Sequence, residues 1–376
     1  MRVALFVGLL IGCVGSVQAG LTKRQAEAVI DGLWESYSNV ETDSRQEEIE
    51  SGEIRLGDHT MPFWYKVFGQ KPEGGRSLYI SMHGGGATAP PVNDRQYENQ
   101  KRLYEPAEGV YFVPRAPTNT WNLWHESHID DFFQRIIENM VLLEDVNPNR
   151  VYIMGYSAGG DGVYQLAPRM ADRWAAAAMM AGHPNETTAE GLRNLPFTIH
   201  MGQRDAAYDR NKIAAEWKTK LAALHAQDPG GYVNEVTIHE GLGHWVNRKD
   251  AVAVPWMSKF TRQPFPELVV WKQDDRTHNR FYWLAVDDEH AKAGAIVRVR
   301  REGQTFEIQH SDVSELAIRV NDDMIDFDKN VVVTYRDKVL FDGKLERQQL
   351  VIEKTFNERH DLKSVFSAEL RVVIPQ

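Results

Sequence analysis

Hydrophobic positions change their period along the chain, and each change predicts a different kind of element. Thr22 to Tyr37 carries Ala26, Ile30 and Trp34 four residues apart, the stripe of an amphipathic helix, with Thr22 and Gln25 spaced as a capping box. From about residue 53 short apolar runs take over. Met61 to Phe68, Leu78 to Met82, Val110 to Pro114, Val151 to Met154, Ala175 to Met180, Phe197 to Met201 and Val233 to His239 read as strands. Helical patterns at Ile129 to Leu143, Gly162 to Met170 and Lys212 to Leu224 fall between them, with a further helix expected from Val254 to Phe260. Such alternation predicts an α/β domain with a doubly wound, mostly parallel sheet covered on both faces.

The pattern breaks at Gln263-Pro264-Phe265-Pro266, where two prolines close the helical stretch. Beyond it lie short alternating runs: Glu267 to Trp271, Arg280 to Val286, Ala295 to Val299, Phe306 to His310, Leu316 to Val320, Val331 to Tyr335 and Leu370 to Ile374. Their spacing predicts a small antiparallel β-sandwich of immunoglobulin-like type. The expected organisation is therefore a leader over residues 1–19, a first domain over 20–262 and a sandwich over 263–376.

The N-terminus has one arginine, an uncharged run from Val3 to Gly15, and then small residues ending at Ala19. This reads as a signal peptide cut after Ala19, with a run too short to span a membrane, so export to the periplasm or the outside is expected. Leu10-Ile11-Gly12-Cys13 resembles a lipobox, which makes a lipid anchor at Cys13 the alternative. Cys13 is the single cysteine, so cleavage at Ala19 leaves a chain whose stability rests on core burial rather than on disulfides. A net charge of -10 argues against nucleic-acid partners and points to neutral small-molecule or polymeric substrates. No H-E-x-x-H, P-loop or dinucleotide fingerprint occurs, so neither a metal nor a cofactor is expected.

Chemistry enters at Gly155-Tyr156-Ser157-Ala158-Gly159, a G-x-S-x-G between an expected strand and an expected helix. A serine in so tight a turn adopts a strained backbone, and side chains at Gly155 or Gly159 would collide with neighbouring chain. In this the region from about Ile54 to Phe260 resembles the α/β-hydrolases. The resemblance implies that Ser157 is a nucleophile and that the Ala158 amide donates to an oxyanion. Ser81-Met82-His83-Gly84-Gly85-Gly86 stands where the family has its HGGG-type loop, which implies Gly84 and Gly85 as further donors, with His83 fixing the loop. The base is expected after the last strand, where His239 and His244 compete. His244 is preferred because it lies in a glycine-flanked loop beyond the strand pattern. Gly202-Gln203-Arg204-Asp205 resembles the family's acid-bearing turn, with Asp209 as a rival to Asp205. The order Ser157, Asp205, His244 is the order the fold expects.

Substrate clues are sparser. The Arg115 to His128 loop holds Trp121, Trp124 and His125, which could wall a binding site or simply pin the loop, and His183 follows a strand end where it could face the site. The short span from Met180 to Phe197 leaves little room for a helical lid. These features together read as an exported serine esterase, similar to secreted bacterial feruloyl or acetyl esterases and polyhydroxybutyrate depolymerases. A prolyl oligopeptidase-type peptidase would use the same residues, although no propeller repeats precede them. A third reading is a polymer-binding protein whose sandwich offers Trp271 and Trp283 for stacking.

Overall fold

The computed structural model describes residues 20–375; residues 1–19, on which the signal-peptide and Cys13 anchor expectations fall, lie outside the described residues. Helix α1 (Lys23–Ser51) opens the chain. Thr22 Oγ1 accepts the Gln25 amide at 3.3 Å while Gln25 Oε1 accepts the Thr22 amide at 2.9 Å, which is the capping box. Left-handed Gly52 ends the helix.

Strands β1 (Glu53–Leu56), β2 (His59–Phe68), β3 (Arg76–Met82), β4 (Gly109–Pro114), β5 (Val146–Tyr156), β6 (Ala176–Met180), β7 (Phe197–Gly202) and β8 (Asn234–His239) form one sheet in the order β1-β2-β4-β3-β5-β6-β7-β8. From β4 to β8 every neighbouring pair is parallel, and β1 and β2 add antiparallel strands at one edge. Helices α2 (Pro90–Gln100), α3 (Ile129–Leu143), α4 (Ala158–Arg169), α5 (Arg210–Gln227) and α6 (Ala253–Met257) connect or follow these strands. Helix α3 shows why the sequence pattern works: Ile129, Phe132, Phe133, Ile136, Ile137 and Met140 recur at helical spacing, and all are buried. Each such side chain contributes roughly 1.5–3 kcal/mol on burial. The expected doubly wound sheet is the one observed.

Beyond residue 263 the chain forms β9 (Leu268–Lys272), β10 (Arg280–Phe281), β11 (Leu284–Ala285), β12 (Ile296–Glu302), β13 (Thr305–Ser311), β14 (Glu315–Val320), β15 (Val331–Tyr335), β16 (Lys338–Gly343), helix α7 (Gln349–Asn357) and β17 (Ala368–Val373). A five-stranded sheet, β16-β15-β13-β12-β9, packs on a four-stranded one, β10-β11-β14-β17, with Trp271 stacked on Phe281 and Trp283 edge-on to Phe306 between them. Two features correct the immunoglobulin-like expectation. β13 pairs parallel with β15, because the chain crosses to the other sheet as β14 and returns, and two reversals restore the original direction. Helix α7 was also unforeseen, and it takes the apolar face of α1: Ile352 and Phe356 pack with Ala26 and Tyr37. Helix α1 therefore leans on this C-terminal region as well as on α3, instead of only on the sheet that follows it.

Candidate active site

Ser157 sits between β5 and α4 with φ 59° and ψ -121°, a conformation that L-residues avoid. Its amide is tied to Met180 O at 2.9 Å. The turn can form only because its flanks lack side chains. A Cβ on Gly155 would lie 2.2 Å from Gly159 O, and one on Gly159 would lie 2.2 Å from Met82 O. The turn points the hydroxyl away from the sheet towards two loops that follow β7 and β8.

Those loops bring His244 and Asp205 into line. His244 Nε2 is 2.9 Å from Ser157 Oγ, and His244 Nδ1 is 2.7 Å from Asp205 Oδ2. Asp205 is buried at the end of β7, where Gly202 presses against Gly243 of the histidine loop. A buried carboxylate on Nδ1 fixes the tautomer that leaves Nε2 free to accept from the serine. The rival groups go elsewhere. His239 is buried against His200, with ring nitrogens 3.2 Å apart, and Asp209 is exposed and bonded to Lys212. Tyr156, which the sequence did not mark, anchors the histidine loop: its hydroxyl donates to His244 O at 2.6 Å and accepts the Val246 amide at 3.0 Å.

Facing Ser157, the Gly84 Cα lies so close that a Cβ there would approach Ser157 Cβ to 3.1 Å. Gly85 has φ 114°, and a Cβ there would meet Asn93 Oδ1 at 2.1 Å. That Asn93 oxygen accepts the Gly86 amide, whereas the Gly84 and Gly85 amides have no hydrogen-bond acceptor among the described residues. The Ala158 amide, first in α4, likewise has no helical acceptor. His83 holds this loop from inside. The Ala116 amide donates to its Nε2 at 3.2 Å, so Nδ1 carries the proton and donates to Gly84 O at 2.6 Å. Complete burial pushes its pKa down to about 3, so the ring is neutral.

The tryptophan loop divides. Trp121 is 58% exposed and lines a small cleft of about 220 Å³ beside Ala158, a cleft that His183, Tyr208 and Arg210 share. Trp124 does not bind there, which corrects that expectation. It is fully buried, and its indole N–H donates to His83 O at 2.8 Å, so the ring supports the glycine loop from behind. An indole gains more free energy from full burial with its N–H satisfied than from a half-wetted cleft wall. His125 is corrected for the same reason: it is buried edge-on to Trp121 and borders neither cleft, and burial lowers its pKa to about 4. Asp161, unmarked in the sequence because an acid in a first helical turn looks like a simple cap, accepts the His183 amide at 2.6 Å and shapes the small cleft. A larger cleft of about 680 Å³ opens on the other side, lined by Ser157, His244, Trp245 and Leu103 among others. Trp271 and Trp283 are buried in the C-terminal sheets, which removes them as a stacking surface.

Sheet order, the strained serine turn and the linked Ser157, His244 and Asp205 are those of the α/β-hydrolase class of fold. Within that class, residues 111–252 match the model of the Dienelactone hydrolase family. No curated protein matches the chain. Among solved structures it is similar to a thermostable esterase at 18% identity and TM-score 0.44, over 56% of this chain and 62% of that one. It is also similar to a fluorophosphonate-binding serine hydrolase of Staphylococcus aureus, at 12% identity and TM-score 0.38, over 55% and 96%. A third is Est1E from Butyrivibrio proteoclasticus with ferulic acid bound, at 12% identity and TM-score 0.35, over 55% and 96%.

Proposed function

We propose that this protein is a serine esterase that cleaves carboxylic esters through an acyl-enzyme. The observation that carries the reading is the unbroken hydrogen-bond chain from Ser157 Oγ through His244 to the buried Asp205 carboxylate. Ser157 Oγ attacks the ester carbonyl carbon while its proton passes to His244 Nε2, and Asp205 stabilises the imidazolium without taking the proton. The carbonyl oxygen becomes an oxyanion and is received by the Gly84, Gly85 and Ala158 amides. Collapse of that intermediate expels the alkoxide, which takes the proton from His244. Water then repeats the sequence, releasing the acid and restoring Ser157.

The leader-like N-terminus supports export, by signal-peptide cleavage after Ala19 or by a lipid anchor at Cys13. The segment between β6 and β7 holds only a short 3-10 turn, Glu190–Leu192, which supports an open site and with it acetyl, feruloyl or polyester-type substrates. The test is hydrolysis of p-nitrophenyl acetate, butyrate and octanoate beside aminoacyl anilides, for the wild type and Ser157→Ala. Ester turnover that nearly vanishes in the variant is expected. Turnover of anilides alone would make the protein a peptidase, and an unaffected variant would remove the serine mechanism.

A further inference from the structure

Helix α2 buries polar side chains where stability alone would favour apolar ones. Among the described residues its two buried side chains are Asn93 and Gln100, both amides. An apolar residue gains more from burial than a hydrogen-bonded amide does, so each amide is explained by what it holds. Gln100 Nε2 donates to Ser81 Oγ at 2.7 Å, on the strand that leads into the glycine loop. Asn93 grips the loop itself: its Oδ1 accepts the Gly86 amide at 2.9 Å. Its Nδ2 donates to Asn119 Oδ1 at 2.8 Å, and the same Asn119 oxygen accepts Arg115 Nη2 at 2.6 Å. Both ends of the Asn93 amide are thus fixed.

The loop needs such a hold. Gly85, Gly86 and Ala87 have φ of 114°, 80° and 45°, three successive residues on the positive side, and Ala87 carries a side chain there. A run of this kind persists only where its surroundings fix it. Two of its amides are claimed, Gly86 by Asn93 and Ala87 by Thr120 O at 3.1 Å. The amides of Gly84 and Gly85 have no acceptor among the described residues and are left for an oxyanion. The Asn93 oxygen also packs directly on Gly85, where a Cβ would come within 2.1 Å of it. A carboxylate in its place could hold Gly86 as well, but its charge would oppose the oxyanion forming nearby. A neutral amide holds the loop without that repulsion.

We infer that Asn93 is a positioning residue for the ester reaction: by holding the Gly86 amide it turns those of Gly84 and Gly85 towards the oxyanion, and Asn119 keeps Asn93 in place. The inference rests on the proposed esterase reading and adds a residue outside the triad. Asn93 lines neither cleft, so its effect passes through the loop and falls on the transition state rather than on ester binding.

The test measures kcat and KM for p-nitrophenyl butyrate, and the inhibition constant of hexyl trifluoromethyl ketone, whose adduct with Ser157 carries the oxyanion without a leaving group. Asn93→Leu is expected to lower kcat about 10- to 100-fold with KM changed less than about 3-fold, and to weaken the ketone by a factor close to the loss in kcat/KM. Asn93→Asp at about pH 6, where burial favours the neutral acid, keeps the acceptor oxygen and should retain more activity than Asn93→Leu. Asn119 is only partly buried, so Asn119→Ala decides by the same criteria if Asn93→Leu fails to fold; a loss of about 3- to 10-fold in kcat and in ketone affinity is expected. Wild-type kcat in these variants, a loss confined to KM, ketone affinity unmoved while kcat falls, or Asn93→Asp no better than Asn93→Leu would overturn the inference while leaving the esterase reading intact. Failure of the wild type to hydrolyse any ester would remove both.

Discussion

Tyr156 clamps His244: the residue just before the strained serine donates its hydroxyl proton to the carbonyl of the histidine at 2.6 Å. The serine turn and the histidine loop are thus one mechanical unit. The Tyr156→Phe variant loses this bond and leaves the buried Val246 amide without its acceptor. We expect it to lose about 1–3 kcal/mol of stability in denaturant melts. Its kcat should fall about 10- to 100-fold with little change in KM, because the displaced imidazole no longer meets Ser157.

Gly159 is a steric requirement rather than a source of flexibility. An added methyl would sit 2.2 Å from Met82 O and 2.9 Å from His83 O, both backbone atoms that cannot step aside. Gly159→Ala should cost about 3 kcal/mol or more. Gly32→Ala, in α1 with nothing within 4 Å of the new methyl, should instead stabilise by about 0.5–1 kcal/mol. Parallel thermal melts of the two variants check both signs.

Acid should destabilise the fold well before the carboxylates titrate. Burial lowers the pKa of His83 to about 3 and those of His125 and His200 to about 4, from the ordinary 6.5. The unfolded chain accepts protons that the folded chain refuses, so the stability these groups give is complete above pH 6.5. It is lost as pH falls towards about 4, at up to about 1.4 kcal/mol per pH unit for each histidine. Asp161 works in the opposite sense: burial raises its carboxyl from 3.8 to about 6, so the folded state gains stability as pH falls through that window. Urea melts between pH 7 and pH 4 should show a net loss of stability. Asp161→Asn should be more stable than wild type at pH 7, by about 1–3 kcal/mol, and equal to it near pH 4.

The C-terminal region is joined to the hydrolase region by buried charge. Asp361 Oδ2 accepts Arg262 Nη2 at 2.8 Å and Arg173 Nη1 at 3.3 Å, and all three side chains are almost fully buried. The two guanidinium groups hold the Asp361 carboxyl far below the ordinary carboxylate range, against the opposing effect of burial. Asp361→Asn strands the two cations and should cost about 3–5 kcal/mol. If the two regions unfold as one unit, the variant lowers a single calorimetric transition; two separated transitions would show that this contact does not couple them.

Much of the molecule was legible in the chain because the relevant signals are local. The helix over Ile129 to Leu143 was readable because its apolar positions recur at 3.6, and the strand over Phe306 to His310 because its apolar and polar residues alternate. The capping box at Thr22 and the glycine spacing around Ser157 depend only on residues a few positions apart. What stayed hidden depends on partners distant in sequence. Nothing near Trp124 tells that its N–H will meet His83 O, so a buried support and an exposed wall read alike. The weak stripe of α1 gives no hint that its cover, Ile352 and Phe356, comes from the far end of the chain. Helix and strand periods, steric demands of a turn and the residue types able to move a proton are written in the sequence. Which tryptophan faces water, which asparagine holds the glycine loop and which tyrosine clamps the histidine were decided only when tertiary packing chose each group's neighbours, because burial and pairing energies belong to contacts and not to residues.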